Sequence, residues 1–319
     1  MIVDLIGDDL LDYRSPQVDP PGFDEFWRST IDAAREFDTD LVLVRADSPV
    51  TSVDIFDLSF HGFGGERISG WLRAPRNAHG PLPVIVEFIG YGGGRGLAED
   101  ALFWASCGYL HVTMDTRGQG AVWARGVTAD RSVNGPTVPG LMTAGVQDPH
   151  EYYYRRLITD AVRAVDAAVT LPQADRSRVI ALGMSQGGGV ALATAALSPH
   201  VTALVSFQPF LCDFPRAIMI TGAGPYGEID RYLRTWRGQD DAVLETLRYF
   251  DGVNFARRAT VPAWFTTSLM DDVCPPSTVV AAFNAYAGAT KDLRVERHRR
   301  HEHGTDDNVI VAEALANLP

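Results

Sequence analysis

The stretch VIALGMSQGGGVALATAAL, residues 179–197, constrains this chain more than any other. An apolar run meets a tight glycine turn and gives way at once to an alanine- and leucine-rich helix. Gly183 and Gly187 remove side chains where strand and helix would approach most closely, which puts Ser185 at the apex of a strained turn. The pentapeptide G-x-S-x-G is a weak signal alone, because at this glycine content roughly one chain in eight carries it by accident. Its strand–turn–helix setting makes Ser185 a candidate nucleophile, and that setting needs an α/β architecture around it.

The rest of the chain supplies the alternation. LPVIVEFIG is almost continuously apolar, as a strand covered on both faces should be. TSVDIFDLSF and RISGWLRAP, separated by Gly62, Gly64 and Gly65, read as an antiparallel pair. LFWASCGYLHVTMDTRG reads as a helix end, a stop at Gly108 and a buried strand. YYYRRLITDAVRAVDAAVTL is helical; RVIALG, VTALVSF, VPAWFTTSL and LRVERH are strands; helices follow Ser185, begin near Pro276, and begin at about residue 306. Residues 1–40 are expected to be helical, with Phe23, Phe26, Trp27, Ile31 and Ala34 at helical spacing. Segments 118–149 and 208–259 break the rhythm. The first is rich in glycine and proline without a period, the composition of a rim, lid or subunit contact. The expectation is a single α/β domain over 1–319 with a mostly parallel sheet, a helical extension over about 1–40 and two excursions.

Composition removes several classes. Formal net charge is -12, Lys291 is the only lysine, and no basic tract could follow a phosphate backbone, which argues against nucleic-acid binding. The first residues, MIVDLIGDDLLDYRSP, are acidic where a secretion signal is basic, and no apolar stretch reaches membrane-spanning length. A cytoplasmic protein without a membrane partner is expected. Three cysteines, Cys107, Cys212 and Cys274, are too few and too scattered for a disulfide framework.

A serine hydroxyl becomes a useful nucleophile when a base takes its proton and a third group orients that base. In the α/β-hydrolase fold the partners follow the serine in the order acid, then histidine, each in a loop after a later strand. MDDVCPP offers Asp271 and Asp272 after one strand, and HRRHEHG offers His298, His301 and His303 after the next. Asp271 comes first off its strand and is the expected acid, with Asp272 turned to solvent or capping the turn. His298 continues the solvent-facing phase of its strand, while position alone separates His301 poorly from His303. No second ligand cluster supports a metal site at these histidines. An oxyanion needs backbone N–H donors; Gln186 supplies one at its helix start, and the glycine loop FIGYGGGRG, residues 88–96, supplies the other. That loop lacks the G-x-G-x-x-G nucleotide fingerprint.

The segments FDEFW, GWLRAP, GYGGGRG, MDTRGQG, DPHEYYYRR, GMSQGGG, FLCDF, YFDGVNFA, MDDVCPPSTVVAAFNAY and HEHG run over essentially the whole chain. Together they resemble carbohydrate esterase family 7, the acetyl xylan esterases and cephalosporin C deacetylases. The resemblance implies Ser185 as nucleophile, Asp271 as acid, His301 as base, and Tyr91 and Gln186 as backbone oxyanion donors. It further implies an acyl pocket of Tyr91, Phe210, Pro225 and Val273, with Arg117 and Gln119 organising the site. Gly92 follows the tyrosine where family members often carry asparagine, a change that could loosen the loop. No metal or cofactor is expected, since the reaction needs an activated nucleophile and fixed dipoles rather than a Lewis acid; the family pattern implies a homohexamer, a trimer of dimers, whose sites open to an internal cavity. Its substrates would be small acetylated sugars such as xylo-oligosaccharides, and cephalosporin C. The alternatives are a general small-ester carboxylesterase or another α/β-hydrolase activity such as a peptidase.

Overall fold

The computed structural model describes residues 2, 4–132 and 139–317. The strands of the described residues are β1 (Val42–Arg45), β2 (Val53–His61), β3 (Arg67–Pro75), β4 (Leu82–Phe88), β5 (Leu110–Met114), β6 (Ala174–Met184), β7 (Ala203–Phe207), β8 (Ala263–Ser268) and β9 (Lys291–Glu296). They pair into one nine-stranded sheet in the order β1-β2-β3-β5-β4-β6-β7-β8-β9. The first three strands and β5 pair antiparallel, and every pair from β5 to β9 is parallel. Helices cover both faces, giving the mixed sheet of an α/β-hydrolase fold.

The continuous apolar runs follow from this double cover. Along β4, Val84 and Val86 join the core on one face while Ile85 joins the core on the other; β6 divides likewise, with Ala181 on the first face and Ile180 and Leu182 on the second. Strand pairing across a buried sheet leaves no polar face, so period-two alternation survives only toward the antiparallel end. No helix of the described residues is long and apolar enough to cross a membrane.

The helical reading of residues 1–40 holds for Gly7–Leu11 and Phe23–Arg35 and fails between them. Pro16, Pro20 and Pro21 remove backbone donors and disfavour helix in the residues before them. The intervening backbone is instead held by arginines: Arg248 donates to the Val18 and Asp19 carbonyls, and Arg257 donates to that of Gln17. The helix Phe23–Arg35 then docks through Phe26 and Trp27 on Phe250, and Trp27 Nε1 donates to the Tyr249 carbonyl at 2.9 Å. β1 was not anticipated. All four of its residues are exposed, so no buried face imposes a pattern. The excursion at 208–259 contains four helices, Phe214–Ile220, Tyr226–Thr235, Asp240–Arg248 and Gly252–Ala256. In the excursion at 118–149, residues 133–138 lie outside the described residues, and the 3-10 turn Leu141–Thr143 is the regular element of the rest.

Two buried acids tie this irregular backbone to the sheet. Asp115, just past β5, accepts from Arg95 N at 2.8 Å, Val127 N at 2.7 Å and Thr128 N at 2.8 Å, joining two loops at one carboxylate. Asp160, on the helix Tyr153–Ala168, receives Arg117 Nη2 and Phe63 N, both at 2.8 Å. Burial by itself would lower Arg117, but the charges of Asp160, Asp130 and Glu66 outweigh it and hold the guanidinium above its ordinary value. Both partners are fully buried. Removing one side of such a pair strands the other, at a cost of about 3–5 kcal/mol. Arg117→Ala is therefore expected to lower the unfolding free energy by about that amount in urea titration. The control Arg28→Ala, at an exposed pair with Glu25, should leave the midpoint nearly unmoved.

Candidate active site

Ser185 sits between β6 and the helix Gln186–Leu197 at φ 57°, ψ -123°. A side-chain-bearing residue in that region stores about 1–3 kcal/mol of strain, sustained only if the surroundings over-determine it. They do so through contact. A Cβ on Gly187 would lie 2.0 Å from the Phe88 carbonyl oxygen, and one on Gly183 would lie 2.3 Å from the Gly187 backbone. The helix start is thereby pressed against β4 and β6 at a distance only glycine permits. Ser185 N donates to the Phe207 carbonyl at 2.9 Å, and its own carbonyl accepts from Phe210 N at 2.9 Å and Gly189 N at 3.0 Å.

Asp271 and His301 reach the same place from the ends of β8 and β9. Asp271 is fully buried, whereas Asp272 beside it is exposed. One Asp271 oxygen accepts from Val273 N at 2.9 Å and Cys274 N at 2.8 Å; the other meets His301 Nδ1 at 2.8 Å. With Nδ1–H donating to the carboxylate, the imidazole keeps Nε2 as its acceptor. Neither of the other two histidines bonds to Asp271. His298 is exposed, and His303 packs at a tilt against Phe207 with ring centroids 4.3 Å apart while its Nε2 meets Asn308 at 3.1 Å.

The two expected oxyanion donors are held by one glutamine. Gln119 Oε1 accepts from Gly92 N at 2.6 Å, and its Nε2 donates to Gln186 Oε1 at 2.8 Å and to the Tyr153 hydroxyl at 2.9 Å. Gln186 Nε2 in turn donates to the Ile89 carbonyl at 3.0 Å, and the Tyr153 hydroxyl donates to the Arg117 carbonyl at 2.6 Å. The glycine loop, the nucleophile turn and the Arg117–Gly120 segment are thus one hydrogen-bonded unit. Neither Tyr91 N–H nor Gln186 N–H has a partner among the described residues, and Gln186 opens a helix whose first donors have none within it. The Tyr91 side chain is locked as well. Its hydroxyl donates to Glu228 at 2.9 Å and accepts from Leu141 N at 3.0 Å, and its carbonyl accepts from Trp123 Nε1 at 2.8 Å. Burial, reinforced by the Glu228 charge, raises the Tyr91 phenol well above its ordinary value, so it stays a donor. Burial likewise raises Glu228. Gly92 lies at φ 81°, the left-handed region that glycine and asparagine both tolerate, so the departure noted in the sequence leaves this turn its geometry.

Ser185 and His301 open on a cavity of about 580 Å³ whose wall includes Tyr91, Pro225 and Val273. Phe210 is not part of that wall. It is fully buried behind it, against Tyr226 with centroids 4.1 Å apart, because its backbone is committed to Ser185. Glu87, Trp123 and Glu302 line the wall although sequence reasoning assigned them no role, and His303 lines it without meeting Asp271. Trp123 belongs to an aperiodic segment that offers no pattern. Glu87 did leave a signal, a lone acid within an apolar strand; burial favours its neutral form, but the bond to His111 at 2.8 Å and the Arg73 charge outweigh this and hold it below its ordinary value.

Ligand atoms of Asp271, Cys274 and His301 lie within 4.8 Å of one another, so proximity alone would suit a metal ion. Their chemistry fits poorly. Burial raises the Cys274 thiol well above its ordinary value, against the thiolate that metals require, and both Asp271 oxygens are already engaged.

Comparison with known proteins gives this geometry relatives. The family model described as acetyl xylan esterase (AXE1) matches residues 1–314. An acetyl xylan esterase from Paenibacillus sp. R4 superposes with a TM-score of 0.92 at 35% identity, covering 99% of this chain and 100% of that one. Acetyl xylan esterase 1 from Thermoanaerobacterium sp. JW/SL YS485 superposes with a TM-score of 0.89 at 32% identity, covering 98% of each chain. The acetyl esterase Axe7A of Xylanibacter ruminicola is 30% identical over 279 residues, 86% of this chain; the chain spans 62% of that protein's length. This chain belongs to the acetyl xylan esterase family.

Proposed function

We propose that the protein is a serine esterase that removes acetyl groups from small acetylated carbohydrates through an acetyl-serine intermediate. The observation that carries this reading is the Asp271–His301 bond at 2.8 Å, on the wall of the cavity that Ser185 enters from its strained turn. His301 Nε2 takes the Ser185 proton as Oγ attacks the acetyl carbon. The carbonyl oxygen becomes an oxyanion facing the N–H groups of Tyr91 and Gln186, which are fixed before the reaction begins. As the tetrahedral species collapses, the protonated His301 gives its proton to the departing sugar hydroxyl. Water then repeats the sequence on the acetyl-serine: His301 accepts its proton, acetate leaves, and the proton returns to Ser185. Asp271 stays ionised and steadies the imidazolium in both halves. No step needs a Lewis acid, so activity should survive exhaustive EDTA treatment.

The acetyl methyl is assigned to the wall formed by Tyr91, Pro225 and Val273. Gly224 supports this wall at φ 57°, with no room for a Cβ against Val273. Xylo-oligosaccharide acetates are the proposed substrates, and the cephalosporin C acetyl group is a further one. A homohexamer is proposed on the family pattern, and the whole chain is proposed to act as one domain. Cytoplasmic residence is proposed on the three free cysteines, the state a reducing compartment maintains. A general carboxylesterase would prefer longer acyl chains, and a peptidase would cleave a peptide nitroanilide in preference to p-nitrophenyl acetate.

Four outcomes are expected. Ser185→Ala should abolish turnover, and a sulfonyl fluoride should label Ser185 alone in the wild type; full activity in the variant would end the reading. Asp271→Asn should fold normally and lose about 10³- to 10⁴-fold in kcat, while Asp272→Asn changes little; equal losses would show the acid to be misassigned. Across p-nitrophenyl esters, kcat/KM should fall from acetyl to butyryl, since forcing extra methylenes into a closed pocket costs about 1–3 kcal/mol. Val273→Ala should relieve that crowding and raise the butyryl-to-acetyl ratio about fivefold or more.

A further inference from the structure

The cavity is much larger than an acetyl group, so most of it must receive the alcohol that carries the ester. Trp123 is built for that role. Its side chain is 62% exposed, yet it is not free to swing. Its Nε1–H is spent on the Tyr91 carbonyl at 2.8 Å, and its ring lies on the glycine loop, where a Cβ at Gly93 would come within 2.3 Å of it. One edge and one side of the indole are therefore fixed by the protein, and its lone polar atom is unavailable to a ligand. What remains to the cavity is a rigid apolar π-surface at the wall that also holds Ser185. Glu87 and Glu302 line the same cavity, with one Glu87 oxygen engaged by His111 at 2.8 Å.

We infer that Trp123 is the stacking platform for the pyranose ring bearing the acetyl group, with Glu87 and Glu302 as acceptors for its free hydroxyls. A pyranose has an apolar face of C–H bonds carrying slight positive charge, which matches the negative face of an indole, and a rim of hydroxyl donors, which matches carboxylates. The platform is preorganised, so little side-chain entropy is lost when the ring docks. This inference rests on the proposed deacetylation of sugars and adds the residue that selects the sugar.

The test compares an acetylated xylotriose with ethyl acetate, whose alcohol has no ring, in the wild type and in Trp123→Phe, Trp123→Leu and Trp123→Ala. Trp123→Phe keeps an aromatic face and loses the bond to Tyr91, so it should depress both substrates alike and keep most of the sugar preference. Trp123→Ala and Trp123→Leu should lower kcat/KM for the sugar about tenfold more than for ethyl acetate, chiefly through KM. Using Trp123→Leu, which preserves apolar bulk, keeps the test decisive if Trp123→Ala folds poorly. In the Ser185→Ala background, acetylated xylotriose should perturb tryptophan fluorescence, and Trp123→Phe should remove that response. Equal losses on both substrates in Trp123→Leu would overturn the platform and leave a loop-fastening role. A shift in assembly mass by light scattering on substitution would also overturn it, placing the indole in a subunit contact. A wild type that hydrolyses ethyl acetate but no acetylated sugar would overturn the substrate reading as well, whereas an unaltered substrate ratio in Trp123→Leu and Trp123→Ala overturns the platform alone.

Discussion

The closeness of one helix to the sheet governs the rest of this molecule. The backbone of Gly187 lies so near the Phe88 carbonyl that no side chain fits between, and Gly183 faces the same turn under the same restriction. That contact holds Ser185 in a conformation it would not adopt unaided, brings the first N–H of the helix beside its hydroxyl, and fixes the end of β4 against the end of β6. A methyl group at either glycine would lift the helix, and Ser185, the Gln186 N–H and the glycine loop would move together. Reactivity here begins as a packing problem that two missing side chains solve.

Gln119 extends that rigidity outward. An amide can donate and accept at once, and this one accepts from the Tyr91–Gly92 turn while donating toward Gln186 and Tyr153. Glutamate in its place would set a carboxylate against the Gln186 carbonyl oxygen, and leucine would leave Gly92 N–H without its acceptor. Below it, the Arg117–Asp160 pair anchors the same segment through the Tyr153 hydroxyl. Arg117 and Gln119 of the RGQG segment thus act at one remove from the proposed chemistry, as fasteners of backbone.

Much of this was legible in the sequence, and the failures have physical reasons. Parallel strands, buried on both faces, announce themselves as apolar runs, so β4, β6, β7 and β8 could be read directly. The nucleophile turn was equally legible because its glycines are sterically obligatory. β1 could not be, since an exposed edge strand has no buried face to impose a period. The N-terminal region was overextended as helix: the apolar spacing of Phe23 to Ala34 is genuine, but the prolines before it interrupt what that spacing suggested. Position along the chain offered Asp271 ahead of Asp272, and the family resemblance selected His301; the structure gives the geometric counterpart, since of the three histidines only His301 reaches the Asp271 carboxylate. Phe210 shows the limit of carrying a role across by position. Its backbone serves Ser185 while its ring stays behind the cavity wall. Trp123 was invisible because a rim residue in an irregular segment belongs to no periodic pattern.

The order in which the chain lays down its sheet has a consequence for when the protein becomes active. The turn carrying Ser185 and the glycine loop follow the central strands β6 and β4, which precede β8 and β9 in the chain. The His301 imidazole hangs from the loop after β9, an edge strand that among the described residues pairs only with β8. Under the proposed mechanism, Ser185 and its oxyanion donors can therefore be in place during synthesis while His301 is still missing, and catalytic competence waits on β9 docking at the sheet's edge. Fraying at that edge would likewise withdraw the base first, silencing the site while most of the core stays folded.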